Sequence, residues 1–129
     1  RYETEILERF GARAQPDIDE SWARIRQMSK NDAIAVNRSY TDVEVALTQL
    51  LQADRNVDDP EVQALIAVHY AIVCRFWTPT AQAYAGLGEM YVSHPDFRAR
   101  YDALDKGLAA FLRDAMTVHA LERLTQNRL

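Results

Sequence analysis

A chain of 129 residues, 48% of them apolar and 26% charged, has the size and make-up of one globular domain that can bury a core without disulfide or metal staples. A formal net charge of −4 excludes a domain that grips nucleic acid by bulk charge, since phosphate neutralisation needs a basic surface. The single cysteine, Cys74, excludes an internal disulfide and points to a reducing, cytoplasmic compartment, and no apolar run reaches the ~18–20 residues of a membrane span.

Glycine and proline number four each, so helix breakers are sparse, while Ala, Leu, Arg, Glu and Gln are plentiful. Runs of alternating β-branched residues are absent. An all-α fold is expected, without sheet. Tyr2, Ile6 and Phe10 recur at intervals of four among charged residues and predict a short, thin-faced amphipathic helix, with Gly11 as its stop. Pro16, Asp17 and Asp19 read as a helix start. An apolar stripe then runs through Ile18, Trp22, Ile25, Ala33, Val36, Tyr40, Val43, Leu47 and Leu50. Its polar middle, Ser29 to Asp32, leaves open whether this is one long helix or two hinged there.

Asp54 to Pro60 is a polar linker that ends in an acidic cap, with proline at the first helical position. The next helix carries Val62, Leu65, Ile66, His69, Ile72, Val73 and Phe76 on one stripe, with Tyr70 and Trp77 beside it. Thr78-Pro79-Thr80 breaks the pattern; Thr78 is expected to cap the following helix, with Pro79 at its first position. That helix holds Tyr84, Leu87, Gly88 and Tyr91 at helical spacing. Ser93-His94-Pro95-Asp96 starts a short helix bearing Phe97 and Tyr101, with His94 read as loop. Lys106-Gly107 punctuates, and a last helix carries Leu108, Phe111, Leu112, Ala115, Met116, Val118 and His119 before fraying after Leu124.

Several blocks in the second half form a recognisable pattern: Arg75-Phe76-Trp77, Ala83-Tyr84, Gly86-Leu87-Gly88-Glu89-Met90-Tyr91-Val92, Asp96-Phe97, Tyr101, and Gly107-Leu108-Ala109-Ala110-Phe111-Leu112-Arg113-Asp114-Ala115-Met116. With Tyr2-Glu3, Glu5 and Glu8-Arg9-Phe10-Gly11 they make the chain resemble the TipAS-type antibiotic-recognition domains, the effector modules of MerR-family transcription activators. The resemblance implies a globin-like helical domain with a cleft for large, flat, apolar ligands such as thiopeptides. It implies a single domain over 1–129, with 1–57 as a mobile lid and 58–129 as a helical core. The chain starts on Arg1 in mid-pattern, and a DNA-binding domain is expected upstream, with homodimerisation in the full-length regulator. A hydrophobic small molecule or thiopeptide-like compound is the implied partner. DNA would be reached only through the missing domain, and no membrane association or cofactor is implied. A standalone drug-sequestering protein and a stress or redox sensor of the same fold are the alternatives.

The family's thiostrepton-binding prototype has a cysteine just before Leu-Gly-Glu-Met-Tyr that captures dehydroalanine groups. Here that position is Gly86, and Cys74 lies about three helical turns upstream. Binding is therefore expected to be non-covalent. The resemblance draws the binding site from Trp22, His69, Phe76, Trp77, Tyr84, Gly86, Tyr91 and Phe111. Aromatic side chains offer large stacking area at low entropy cost, but the same residues equally suit a plain core. His69 within an apolar stripe reads either as a haem ligand or as a buried histidine bonded to a carbonyl or carboxylate. His119 could join it at a metal only with a third ligand, and none stands at metal spacing. Cys74 reads as a redox thiol or as a small buried residue. Gly86 and Gly88 each cost ~1 kcal/mol in a helix relative to alanine, so a ligand or another helix should approach closely there. Glu89 and Asp114 have no nucleophile, oxyanion motif or metal triad beside them, and no catalytic residue or enzymatic activity is expected.

Overall fold

The polar run at Ser29 cuts the N-terminal apolar stripe into two helices. The computed structural model describes residues 15–124, with side chains from residue 19; the helix expected on Tyr2, Ile6 and Phe10 and the side chain of Ile18 lie outside the described residues. Helix α1 spans Gln15–Gln27 and α2 spans Lys30–Gln52. The Ser29 hydroxyl accepts from the Asp32 N–H at 3.0 Å, and the Asp32 carboxylate accepts from the Ser29 N–H at 3.2 Å. This reciprocal capping box satisfies two donors that a new helix leaves orphaned, so the chain restarts here instead of running on as one helix.

Helix α2 ends in a Schellman motif. Arg55 N–H donates to the Leu50 carbonyl and Asp54 N–H to the Leu51 carbonyl, with Asp54 at φ 59°, where glycine is usual. Arg55 then pairs with Asp59 at 3.2 Å and with Glu61 at 2.7 Å, which folds the polar linker onto the start of α3, Pro60–Val73. Asp59 caps α3 through the Glu61 N–H at 2.8 Å, with Pro60 in the first turn.

The cap of the next helix falls two residues later than the sequence implies. Thr80, not Thr78, accepts from the Ala83 N–H at 3.1 Å and opens α4, Ala81–Ser93. Pro79 stays outside the helix, buried, because its carbonyl accepts the Tyr70 hydroxyl at 3.2 Å. That tertiary anchor holds the link irregular through Thr80. His94 is also more than loop: its Nδ1 accepts from the Asp96 N–H at 3.2 Å and caps α5, Pro95–Asp102. Helix α6, Leu108–His119, passes into one π-helical turn over Ala120–Leu124.

The core lies where α3, α4 and α6 meet, with the C-terminal half of α2 closing one side. Val62 and Ile66 of α3, Tyr84 of α4, and Leu108, Leu112, Ala115 and Met116 of α6 are sealed from solvent together with Leu47 of α2. The most extensive packing is between α4 and α6. Gly88 favours it: a Cβ there would stand 3.1 Å from the Arg113 Cα, so any larger residue would force the two backbones a few tenths of an ångström apart. Among the described residues there is no strand, and no helix is long and apolar enough to cross a membrane.

Candidate ligand cleft

A cleft of about 310 Å³ opens beside this core. Helix α1 lends it Ser21 and Ile25, and α2 lends Tyr40. Val73, Phe76 and Trp77 come from the end of α3 and the turn after it. Leu87 and Tyr91 come from α4, and Phe97, Arg100 and Tyr101 from α5. The early stop of α3 swings Phe76 and Trp77 off the helical stripe, which is how two sequential aromatics come to line one cleft. Tyr91 and Tyr101 are almost fully buried and their ring centroids lie 4.8 Å apart, with Phe97 5.6 Å from Tyr91. An aromatic-rich lining of this kind suits flat ring systems, which gain stacking area against rigid partners.

A polar network lies behind that surface. His69 is 1% exposed; its Nδ1 is 2.7 Å from the Tyr84 hydroxyl and its Nε2 is 3.5 Å from the Tyr91 hydroxyl, the latter at the long limit of a hydrogen bond. Burial, with His119 close by, pushes the His69 imidazole down to about 4, so the ring is neutral and offers one donor and one acceptor. Burial likewise raises Tyr84 and Tyr91 well above the usual phenol range. The partners of His69 are thus tyrosine hydroxyls, not the carbonyl or carboxylate that its apolar stripe suggests. Both ring nitrogens are engaged in this way, and an iron at His69 would have to displace one tyrosine. Among the described residues, no three His, Cys, Asp or Glu side chains are grouped so as to hold a metal ion.

Charge enters the cleft through Arg100. One of its guanidinium nitrogens, Nη2, lies 3.2 and 3.4 Å from the two carboxylate oxygens of Glu44, and its charge sits 5.6 Å above the Tyr101 ring. Glu44 is 6% exposed; burial raises its carboxyl, and the arginine pulls it back down. Burial, with Glu44 adding to it, pushes Tyr101 up to about 12.

Helix α1 covers one side of the cleft and is only lightly attached. None of its described side chains is fully buried, and Trp22 and Ile25 are 50% and 41% exposed. Its clearest fastening is Arg24, which bonds Glu20 within α1, the Cys74 carbonyl at the end of α3, and the Thr78 hydroxyl at 3.5 Å. A guanidinium at the carbonyl end of a helix meets both unpaired acceptors and the negative end of the helix dipole.

Of the residues singled out from the sequence, Phe76, Trp77 and Tyr91 line this cleft. His69 and Tyr84 sit behind it, Tyr84 fully buried. Phe111 is in the core on α6, Gly86 is half-buried on α4, and Trp22 is on α1 but outside the lining. Tyr40, Phe97, Arg100 and Tyr101 complete the cleft. The four-residue spacing of Phe97 and Tyr101 marks an apolar face, whereas nothing local sets Arg100 apart from Arg98.

Residues 2–119 match the family described as the TipAS antibiotic-recognition domain. The chain belongs to that family. The TipAS fold also appears in structure: TipAS from Streptomyces lividans in complex with nosiheptide, described within a thiopeptide antibiotic multidrug resistance system, superposes with a TM-score of 0.79 at 26% identity. The match covers 93% of this chain and 83% of that one, and the shared architecture is all-α and globin-like. Similar curated proteins are helix-turn-helix transcriptional regulators. SkgA of Caulobacter vibrioides is 33% identical over 125 residues, which are 95% of this chain and 49% of SkgA. The activator mta of Bacillus subtilis is 33% identical over 63 residues, 48% of this chain and 24% of mta. This TipAS-type chain therefore spans about half the length of the SkgA regulator, and less of mta.

Proposed function

We propose that this domain is the ligand-sensing module of a MerR-type transcription regulator, binding hydrophobic multi-ring compounds and closing α1 over them. The observation that carries the reading is the aromatic cleft itself, roofed by a helix with no fully buried described side chain. Phe76, Trp77 and Tyr91 stack against the ligand, with Trp22 folding over it from α1. His69, Tyr84 and Phe111 hold the cleft wall from behind, and Gly86 leaves room on α4. Of the N-terminal stretch 1–57, the lid role falls to α1, because Val43 and Leu47 tie α2 into the core of 58–129. Binding is non-covalent: Gly86 carries no thiol, and Cys74 stands at the end of α3, outside the cleft lining. The nosiheptide complex of TipAS supports a ligand of thiopeptide class. A cleft of about 310 Å³ is at the small end for a drug-sized ligand, so a macrocycle enters only when α1 lifts.

In the full-length protein, an upstream helix-turn-helix domain would dimerise and bind DNA. Ligand closure would then bias the DNA-bound state in proportion to its preference for the closed form. The test is hydrogen exchange on 15–27 with and without nosiheptide, alongside a thermal-shift series of polyaromatic antibiotics. Protection of α1 that rises with a saturating compound supports the proposal. Equal protection in both states, or no thermal shift with any ring compound, removes it.

A further inference from the structure

Among the described residues, the lining of the cleft contains ten uncharged side chains and one charged one, Arg100. It is aimed by two contacts, the buried Glu44 carboxylate on Nη2 and the Tyr101 face beneath the guanidinium. Only Nη2 is committed to hydrogen bonds; Nε and Nη1 make none among the described residues, while the side chain remains 51% exposed. A guanidinium presents five N–H donors in a fixed planar fork and binds acidic groups through two of them at once. The cleft therefore combines an aromatic lining with a pre-aimed cation.

We infer that the cleft selects aromatic compounds that carry an acidic group, and that Arg100 is the residue that reads that group. This rests on the cleft being a ligand site, as proposed above. The rings stack in the aromatic cleft, and the acid of the ligand takes the donors of Arg100 that Glu44 leaves open. Glu44 positions Arg100 and also offsets part of its charge, so Glu44 sets how strongly the acid is held.

Two fluorescent probes with the same ring system separate the two ideas. 8-Anilino-1-naphthalenesulfonate carries an acid, and N-phenyl-1-naphthylamine lacks it. Both are titrated into the 129-residue domain, its E44Q variant, and the double variant E44Q/R100M, which leaves no buried unpaired carboxylate. Thermal unfolding checks that each variant is folded. The expected result is that E44Q binds the sulfonate several-fold tighter and the neutral amine unchanged, because Arg100 is no longer offset. E44Q/R100M should lose about tenfold of the sulfonate affinity and again leave the amine unchanged. If the two probes move together, or neither moves, Arg100 does not read an acid and this inference falls while the cleft stands. If neither probe binds saturably to the unaltered domain, the cleft reading and this inference fall together.

Discussion

The Tyr84 hydroxyl and His69 Nδ1 are 2.7 Å apart, and both side chains are closed to solvent at 0% and 1% exposure. They join α4 to α3 directly behind the aromatic cleft. Removing the hydroxyl leaves a buried ring nitrogen without a partner, which costs about 1–3 kcal/mol. Tyr84→Phe should therefore lower the urea unfolding free energy by that amount while the ring keeps its packing. An unchanged midpoint and slope would show that this bond contributes nothing to the fold.

The same pair makes the domain acid-sensitive. His69 faces Tyr40 of α2, Tyr84 and Tyr91 of α4 and His119 of α6, none of which offers it a negative charge at neutral pH. Its folded pKa of about 4 lies below the unfolded value of 6.5, so between these values the unfolded chain binds more protons. Stability from this group is thus fully present above pH 6.5 and declines as pH falls towards 4, by about 3 kcal/mol in all. Comparing wild type with His69→Gln across this window cancels other groups, including Glu44, whose raised carboxyl works in the opposite direction. The difference between their unfolding free energies should shrink as the pH drops.

Asp54 holds the left-handed position at the end of α2 with φ 59°. An L-residue with a Cβ costs ~1–2 kcal/mol there, less for aspartate, whereas glycine gives back part of that gain through a more flexible unfolded chain. Asp54→Gly should stabilise the domain by a net amount of about 0.5–1 kcal/mol, read as a higher melting temperature at unchanged helical content.

Among the described glycines, Gly88 sits at the closest approach, 3.1 Å from a Cβ built there to the Arg113 Cα. Gly88→Val must push α6 away or distort α4, and over-packing of that kind costs about 1–3 kcal/mol. Denaturant unfolding would reveal it, and a variant as stable as the parent would mean that the two helices separate freely.

Arg24 fastens α1 to the end of α3 without burying it. Arg24→Gln should raise hydrogen exchange across residues 19–27 while leaving the melting temperature of the core nearly unchanged, since α1 contributes little to the cooperative unit. A substantial drop in melting temperature would instead place α1 within that unit.

Most of the helix inventory is readable from local chemistry. Asp59-Pro60, Pro95 and Gly107 punctuate the chain where they should, because capping and proline geometry act within one turn. The cap at Thr80 is not readable in this way, since the choice between two threonines is made by Tyr70 reaching the Pro79 carbonyl. The break at Ser29 lies between these cases: the polar run marks it, but the reciprocal bonds to Asp32 decide it.

By itself the sequence determined the all-α class and the helix starts set by local caps, since both reside in periodicity and short-range pattern, and its residue blocks carry the resemblance to the TipAS family. Only the tertiary structure decided which aromatics face the cleft and which face the core. Phe76, Tyr84, Tyr91 and Phe111 all sit at comparable helical spacings, and a side chain's destination depends on how each helix is rotated and crossed. The stop of α3 at Val73 and the close crossing at Gly88 set those rotations. They turn Phe76, Trp77 and Tyr91 towards the cleft and bring Arg100, from a separate helix, to its edge.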